Sequence, residues 1–102
     1  MFSFGKGTHG RLGNGNDGNV YEPMLVKGLQ GERVVAISAG CRHAGAVTES
    51  GSLYMWGFNF YEQLGIGLGD KDYDTPVLIE YFNESKVLAV SCGYFHSAVL
   101  AS

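Results

Sequence analysis

Residues 36–43 read Ala-Ile-Ser-Ala-Gly-Cys-Arg-His, and residues 89–96 read Ala-Val-Ser-Cys-Gly-Tyr-Phe-His. Both stretches are apolar runs that end in Gly-x-x-His, and they lie 53 residues apart. Each run is short, contains a β-branched residue and is closed by glycine, which is typical of a β-strand that leads into a tight turn. Recurrence at a spacing near fifty residues indicates an internal structural repeat.

The correspondence extends outward from these stretches. Three further motifs recur in the same order at spacings of 52 or 53 residues: Phe4-Gly5 with Trp56-Gly57, Leu12-Gly13-Asn14-Gly15 with Leu64-Gly65-Ile66-Gly67, and Pro23 with Pro76. We therefore divide the chain into a first repeat, residues 1–52, and a second repeat, residues 53–102.

The residue pattern within each repeat predicts β-structure. The predicted strands are residues 1–4, 34–39, 44–48, 53–56, 76–79, 86–91 and 97–100. Pro76 is placed at the entry of its strand, where its missing N–H costs no ladder hydrogen bond. No segment sustains the 3.6-residue apolar period of a helix. Three or four short strands in about fifty residues are typical of a β-propeller blade.

The spaced motifs resemble the regulator-of-chromosome-condensation repeat family. The residues that carry the resemblance, and that we predict to be its structural signature, are Phe4, Gly5, Leu12, Gly13, Gly15, Pro23, Gly40, His43, Trp56, Gly57, Leu64, Gly65, Gly67, Pro76, Gly93 and His96. The resemblance implies an all-β fold with two four-stranded antiparallel propeller blades, each repeat being a permuted blade. We expect a partial ring, or a head-to-tail homo-oligomeric ring if the chain is complete.

The composition and charge of the chain argue against several classes of function. The net charge of −3 and the pI near 5.4 argue against direct nucleic-acid binding, which needs a basic surface. The first repeat has five Lys and Arg against four Asp and Glu, hence +1; the second has two against six, hence −4. No apolar run reaches the roughly 18 residues of a membrane span. The two cysteines suggest no disulfide framework, so we expect an intracellular protein, cytoplasmic or nuclear.

Two motifs resemble ligand sites and fail in their second halves. Residues 5–10 fit the dinucleotide pattern G-x-G-x-x-G, but the residues that follow form a poor helix. Residues 70–74 resemble the opening of a calcium loop, yet Thr75 and Tyr81 stand where that loop needs Gly and Glu. Cys41 and His43 belong to no four-ligand zinc spacing. We therefore predict no catalytic residue, no metal site and no cofactor.

His43 and His96 recur at one repeat position, so we predict that each ring makes a structural hydrogen bond rather than serving catalysis. Ten of the thirteen aromatic residues lie in the second repeat. Because exposed aromatic clusters often mark binding hot spots, the candidate partner contacts are the loop residues Phe58, Phe60, Tyr61, Asp70, Asp72, Tyr73 and Asp74. Packing between blades is an equally good account of these aromatic side chains.

The predicted function is a non-enzymatic module for protein–protein interaction, without membrane attachment. The family resemblance implies an alternative role in regulating guanine-nucleotide exchange on a small GTPase. It also implies a chromatin-binding role within a larger propeller. The implied protein partners are thus a small GTPase or a histone.

Overall fold

The computed structural model describes residues 1–66, 71–82 and 85–102. The strands in chain order are β1 (Phe2–Gly5), β2 (Val20–Leu25), β3 (Val34–Ala39), β4 (His43–Thr48), β5 (Leu53–Gly57), β6 (Tyr73–Leu78), β7 (Val87–Cys92) and β8 (Ser97–Ala101). All strand pairs are antiparallel. Two single turns of 3-10 helix, Thr8–Gly10 and Glu80–Phe82, are the helical elements of the described residues. The predicted all-β fold is confirmed.

The middle sheet is one four-stranded blade with the order β3-β4-β5-β6. It crosses the repeat boundary, because the turn between β4 and β5 joins residues of the first repeat to residues of the second. The β1–β2 and β7–β8 pairs each form a two-stranded sheet on either side of this blade. By the repeat, β1 and β2 correspond to β5 and β6, whereas β7 and β8 correspond to β3 and β4.

The prediction that Pro76 opens its strand is wrong. The strand β6 begins three residues earlier, at Tyr73. Pro76 is tolerated inside it because β6 is the edge strand of the middle sheet, and because its pairing with β5 shifts register between Met55 and Gly57. At an edge and beside a bulge, a missing backbone N–H removes no ladder bond.

Two apolar clusters connect the three sheets. One cluster has Val47, Leu53, Met55, Leu64, Ile79 and Val87 at its centre, where β7 packs against β3 and β4. The other surrounds Trp56 and includes Val26 and Leu29 from the loop after β2. The strand β4 is buried along its whole length, since it lies inside the sheet and is covered on its faces. This rigid framework holds the loops at one end of the blade.

Candidate functional site

Five aromatic side chains form a continuous surface beside the loops that follow β5 and join β7 to β8. We call this surface the aromatic rim; its members are Phe58, Phe60, Tyr61, Tyr94 and Phe95. The ring centroids of Tyr61 and Phe95 are 4.9 Å apart, and those of Phe60 and Tyr61 are 5.1 Å apart. Phe60 is 59% exposed and Tyr61 57% exposed. The rim thus presents touching rings to solvent.

The repeat itself does not require these rings. The first-repeat positions equivalent to Phe58, Phe60 and Tyr61 hold Lys6, Thr8 and His9. Those equivalent to Tyr94 and Phe95 hold Cys41 and Arg42. Positions that define the fold keep their residue type in both repeats, as Gly13 and Gly65 do. The rim is therefore a feature of this surface rather than of the blade architecture.

Two side chains of the first repeat pack against Phe58 of the rim. The guanidinium carbon of Arg42 lies 5.5 Å from the centroid of the Phe58 ring, within reach of a cation–π interaction. The His9 ring meets Phe58 edge-on at 4.6 Å, and its Nδ1 lies 2.9 Å from Oδ2 of Asp72. The other carboxylate oxygen of Asp72 accepts a hydrogen bond from the backbone N–H of Asn59. These contacts fix the orientation of Phe58.

A polar groove of about 560 Å³ adjoins the rim through His9 and Asp72. Its walls include Asp17, Lys71, Asp72, Tyr73 and Asp74. The structure therefore brings Phe58, Phe60 and Tyr61 together and joins Asp72 to them through His9. Asp74 is exposed in the groove, whereas the half-buried Tyr73 ring packs against the core. Asp70 and the signature residue Gly67 lie outside the described residues.

His43 links the middle sheet to β7–β8. Its side chain is 1% exposed, and Nε2 lies 2.9 Å from Oγ of Ser97 and 3.2 Å from the carbonyl oxygen of His96. The Ser97 hydroxyl donates to the carbonyl of Gln63 at 2.8 Å, so its oxygen accepts from His43. In this arrangement Nε2 carries the proton. The Nδ1 atom is buried and makes no hydrogen bond within the described part of the chain.

The hydrogen bond between His43 and Ser97 runs in the opposite direction to the one that activates a nucleophilic serine. A catalytic histidine must accept the serine proton, whereas His43 donates toward Ser97. Burial lowers the pKa of His43, which favours the neutral ring. Burial likewise raises the pKa of the Cys92 thiol, so that its thiolate is disfavoured. The cluster can hold two blades together but is not arranged for covalent catalysis.

The Gly-x-x-His motif has the same local geometry in both repeats. A side chain at Gly40 would collide with the His43 ring and with the Gly93 carbonyl, and one at Gly93 would collide with the His96 ring. Each histidine therefore folds back over its own glycine. The His96 ring is exposed and makes no hydrogen bond to the described residues. Its predicted structural bond stays a prediction.

The other signature residues lie in the core, on exposed strand positions or at glycines with positive φ angles. Leu12, Trp56 and Leu64 are buried, whereas Phe4 and Pro23 are exposed. Positive φ angles occur at Gly5, Gly13, Gly15, Gly57 and Gly65. Gly13 has a second constraint, because the indole of Trp56 lies where its side chain would be.

Neither of the two motifs that resemble ligand sites leads into an α-helix within the described residues. Tyr73 and Asp74 of the calcium-like stretch, which we predicted to lie in a loop, belong to β6, and Asp70 lies outside the described residues. The stretch from Gly5 to Gly10 contains one 3-10 turn, in which His9 has a φ of 68°. The described residues contain no group of three or more His, Cys, Asp or Glu side chains that are placed to hold a metal ion. No helix among them is long and apolar enough to cross a bilayer.

Sequence reasoning missed His9 and Arg42 as parts of the site. His9 lies 63 residues from Asp72 along the chain, and the packing of the Thr8–Gly10 turn against β5 and β6 brings them together. The sequence signal that could have found them is their position in the repeat. His9 is the repeat counterpart of Tyr61, and Arg42 is the repeat counterpart of Phe95.

These observations define a segment of a repeat β-propeller with an aromatic loop surface. A family model described as regulator of chromosome condensation (RCC1) repeat matches residues 1–47 and 50–100, and a second model of the same repeat matches residues 34–63. The chain therefore belongs to the family of regulator-of-chromosome-condensation repeats.

Curated relatives contain this segment within much longer chains. The chain is 38% identical over 97 residues to human E3 ubiquitin-protein ligase HERC2, covering 95% of this chain and 2% of that protein. It is 34% identical over 97 residues to the ultraviolet-B receptor UVR8 of Arabidopsis thaliana, covering 95% of this chain and 22% of that protein. It is 34% identical over 100 residues to the RCC2 homologue of Danio rerio, covering 98% of this chain and 20% of that protein.

Solved structures show the same fold. Human WBSCR16 superposes with a TM-score of 0.89 at 27% identity, over 99% of this chain and 26% of that one. Prp20p of Saccharomyces cerevisiae superposes with a TM-score of 0.85 at 22% identity, over 98% of this chain and 26% of that one. The chain thus spans about a quarter of each of these two propellers.

Proposed function

We propose that the chain is a non-enzymatic protein-binding module and that the aromatic rim is its contact surface. The observation that carries the proposal is the set of five touching, mostly exposed aromatic rings at positions where the repeat needs none. Buried aromatic anchors supply most of the binding energy in protein interfaces. Rings that already pack against one another also lose little conformational entropy when they bind.

The charge beside the rim favours a basic partner. Three carboxylates, those of Asp17, Asp72 and Asp74, line the adjoining groove beside one cation, Lys71. The second repeat as a whole carries a net charge of −4. Complementary charge speeds association and selects among partners with similar apolar anchors. The yeast propeller Prp20p binds Gsp1p and histones. Of these, histones are strongly basic, so we propose a histone as the partner of this rim.

Regulation of nucleotide exchange on a small GTPase is a weaker alternative, because it rests on the family and on the binding of Gsp1p by Prp20p and not on a feature of the rim. The rim and its acidic groove favour a histone, which is strongly basic, over a small GTPase. The intracellular location stays a prediction from the sequence.

Calorimetric titration of purified core histones into the protein tests the proposal. We expect micromolar binding at about 0.1 M salt, weakened at least tenfold by Phe58→Ala combined with Phe60→Ala, because each removes an anchor. Tyr21→Ala is the matched control, since Tyr21 is an exposed aromatic residue on β2 outside the rim. Equal weakening by the control variant, or no binding by the wild type, would refute the proposal.

A further inference from the structure

His9 lies at a contact between two interior segments of the chain, the loop between β1 and β2 and the stretch from β5 to β6. Its short turn, Thr8–Gly10, packs against both β5 and β6. The backbone of His9 has a φ of 68°, in the left-handed region that few residues other than glycine adopt. The repeat does not account for a histidine here, because the equivalent position holds Tyr61. The histidine is therefore a feature of this surface rather than of the blade.

The His9 ring touches a carboxylate, the rim and solvent at the same time. Its Nδ1 lies 2.9 Å from Oδ2 of Asp72, and its centroid lies 4.6 Å from that of Phe58. The side chain of His9 is 31% exposed and that of Asp72 is 38% exposed. A carboxylate only accepts hydrogen bonds, so Nδ1 keeps its hydrogen and the proton that is gained or lost is the one on Nε2. Histidine as a residue type changes its charge between about pH 5 and 8, so a change in pH reaches Phe58 through His9.

The charge of the polar groove depends on the protonation of His9. Besides His9 and Tyr73, the titratable side chains of its walls are three carboxylates and one ammonium group, those of Asp17, Asp72, Asp74 and Lys71. The walls have a net charge of −2 while His9 is neutral and of −1 once His9 is protonated. One proton therefore halves the net negative charge of the groove.

The two arginines near His9 do not compensate for this change. Arg42 lies over the Phe58 ring, with its guanidinium carbon 5.5 Å from the ring centroid. Arg11, on the same loop as His9, donates its hydrogen bonds to backbone carbonyl oxygens. Among the described residues, the ion-pair partner of Asp72 is His9. Protonation of His9 thus places a second cation at Phe58, in addition to Arg42.

We propose that protonation of His9 weakens the binding of a basic partner by the aromatic rim, so that His9 makes this surface pH-dependent. The inference rests on the proposed function of the rim. The added charge lowers the negative charge of the groove and adds a cation beside Phe58, and both changes oppose a basic partner. Because coupling between two binding events is reciprocal, binding of the partner releases the proton from His9.

Calorimetric titration of purified core histones at two pH values, about 6 and about 8, and at one salt concentration tests the proposal. The affinity of the wild type should be at least about threefold higher at the higher pH. His9→Asn should bring the ratio of the two affinities close to one, because asparagine tolerates a positive φ and keeps an N–H donor but does not titrate. Circular dichroism at both pH values establishes that each protein is folded.

His96→Gln is the matched control. The His96 side chain is exposed, and within the described ranges it has no ion-pair partner. This variant should therefore keep most of the wild-type ratio of affinities.

Proton release measures the same coupling in the wild type itself. The histone titration is repeated near neutral pH in two buffers that differ in their enthalpy of ionisation, and the difference in heat gives the number of protons released. We expect a net release of a fraction of one proton for the wild type and a smaller release for His9→Asn. Protons exchanged by the histones themselves are common to both titrations and cancel in the comparison.

Nuclear magnetic resonance of the free protein separates this inference from the proposed function. The amide signals of Phe58 and of Asn59, whose N–H donates to Asp72, should shift between the two pH values in the wild type and not in His9→Asn. Amide signals that stay in place, histone binding of equal strength at both pH values, or a ratio that His9→Asn leaves unaltered would overturn the inference alone. Absence of histone binding at both pH values would refute the proposed function and the inference together.

Discussion

Replacing His43 with alanine should destabilise the protein by about 2–4 kcal/mol. The side chain is fully buried, and it is hydrogen-bonded to Ser97 and close to the carbonyl of His96 on the neighbouring sheet. The His96 carbonyl keeps its hydrogen bond from the Gly93 N–H at 2.8 Å, so the substitution leaves the half-buried Ser97 oxygen without its donor, which costs about 1–3 kcal/mol. The cavity left by the imidazole adds roughly another 1 kcal/mol, since the strands on both sides fix the backbone.

Urea unfolding at one fixed protein concentration measures this change at pH 8, where the ring is neutral. The Ser97→Ala variant and the double variant complete a mutant cycle, from which we expect a coupling of about 0.5–1.5 kcal/mol between the two side chains. Additive effects of the two substitutions, or a His43→Ala cost below about 0.5 kcal/mol, would refute the view that His43 ties the two sheets together.

Three further predictions use the same unfolding assay. Because burial lowers the pKa of His43 below its ordinary 6.5, the folded state binds fewer protons than the unfolded state; the free energy of unfolding should fall as the pH drops below about 6.5, and His43→Ala should flatten that slope. Gly13→Ala should cost about 1–3 kcal/mol more than Gly65→Ala in the single chain, because both positions have a φ of 69° but only Gly13 lies against Trp56; equal costs would contradict this packing. Glu49→Ala should change stability by less than about 0.5 kcal/mol, because the Arg33–Glu49 ion pair is exposed on both sides; a loss above 1 kcal/mol would show that the pair belongs to a stronger network.

Much of the fold could be predicted from the repeat alone. Two copies of one pattern locate equivalent strands, and the spacing of Gly40 and His43 marks the turn between β3 and β4. The bounds of β6 could not be predicted, because Pro76 reads locally as a strand start. Its tolerance inside β6 depends on the edge position of that strand in the sheet, which the local sequence does not contain.

The candidate site was predictable only in part. Aromatic composition indicated Phe58, Phe60 and Tyr61, because loop aromatics stand out against a glycine-rich background. The contacts of Arg42 with Phe58 and of His9 with Asp72 join distant parts of the chain. They depend on how neighbouring sheets pack, and no local propensity encodes that geometry.

Binding of a basic protein by the aromatic rim can be followed residue by residue. The measurement is nuclear magnetic resonance of the isotope-labelled chain during titration with a purified core histone. We predict that amide shifts concentrate at Phe58, Phe60, Tyr61 and Phe95, with smaller changes at Asp72 and Asp74 beside the groove. Shifts centred instead on β2 around Tyr21, or no shifts at a tenfold excess of histone, would contradict a histone-binding role for the rim.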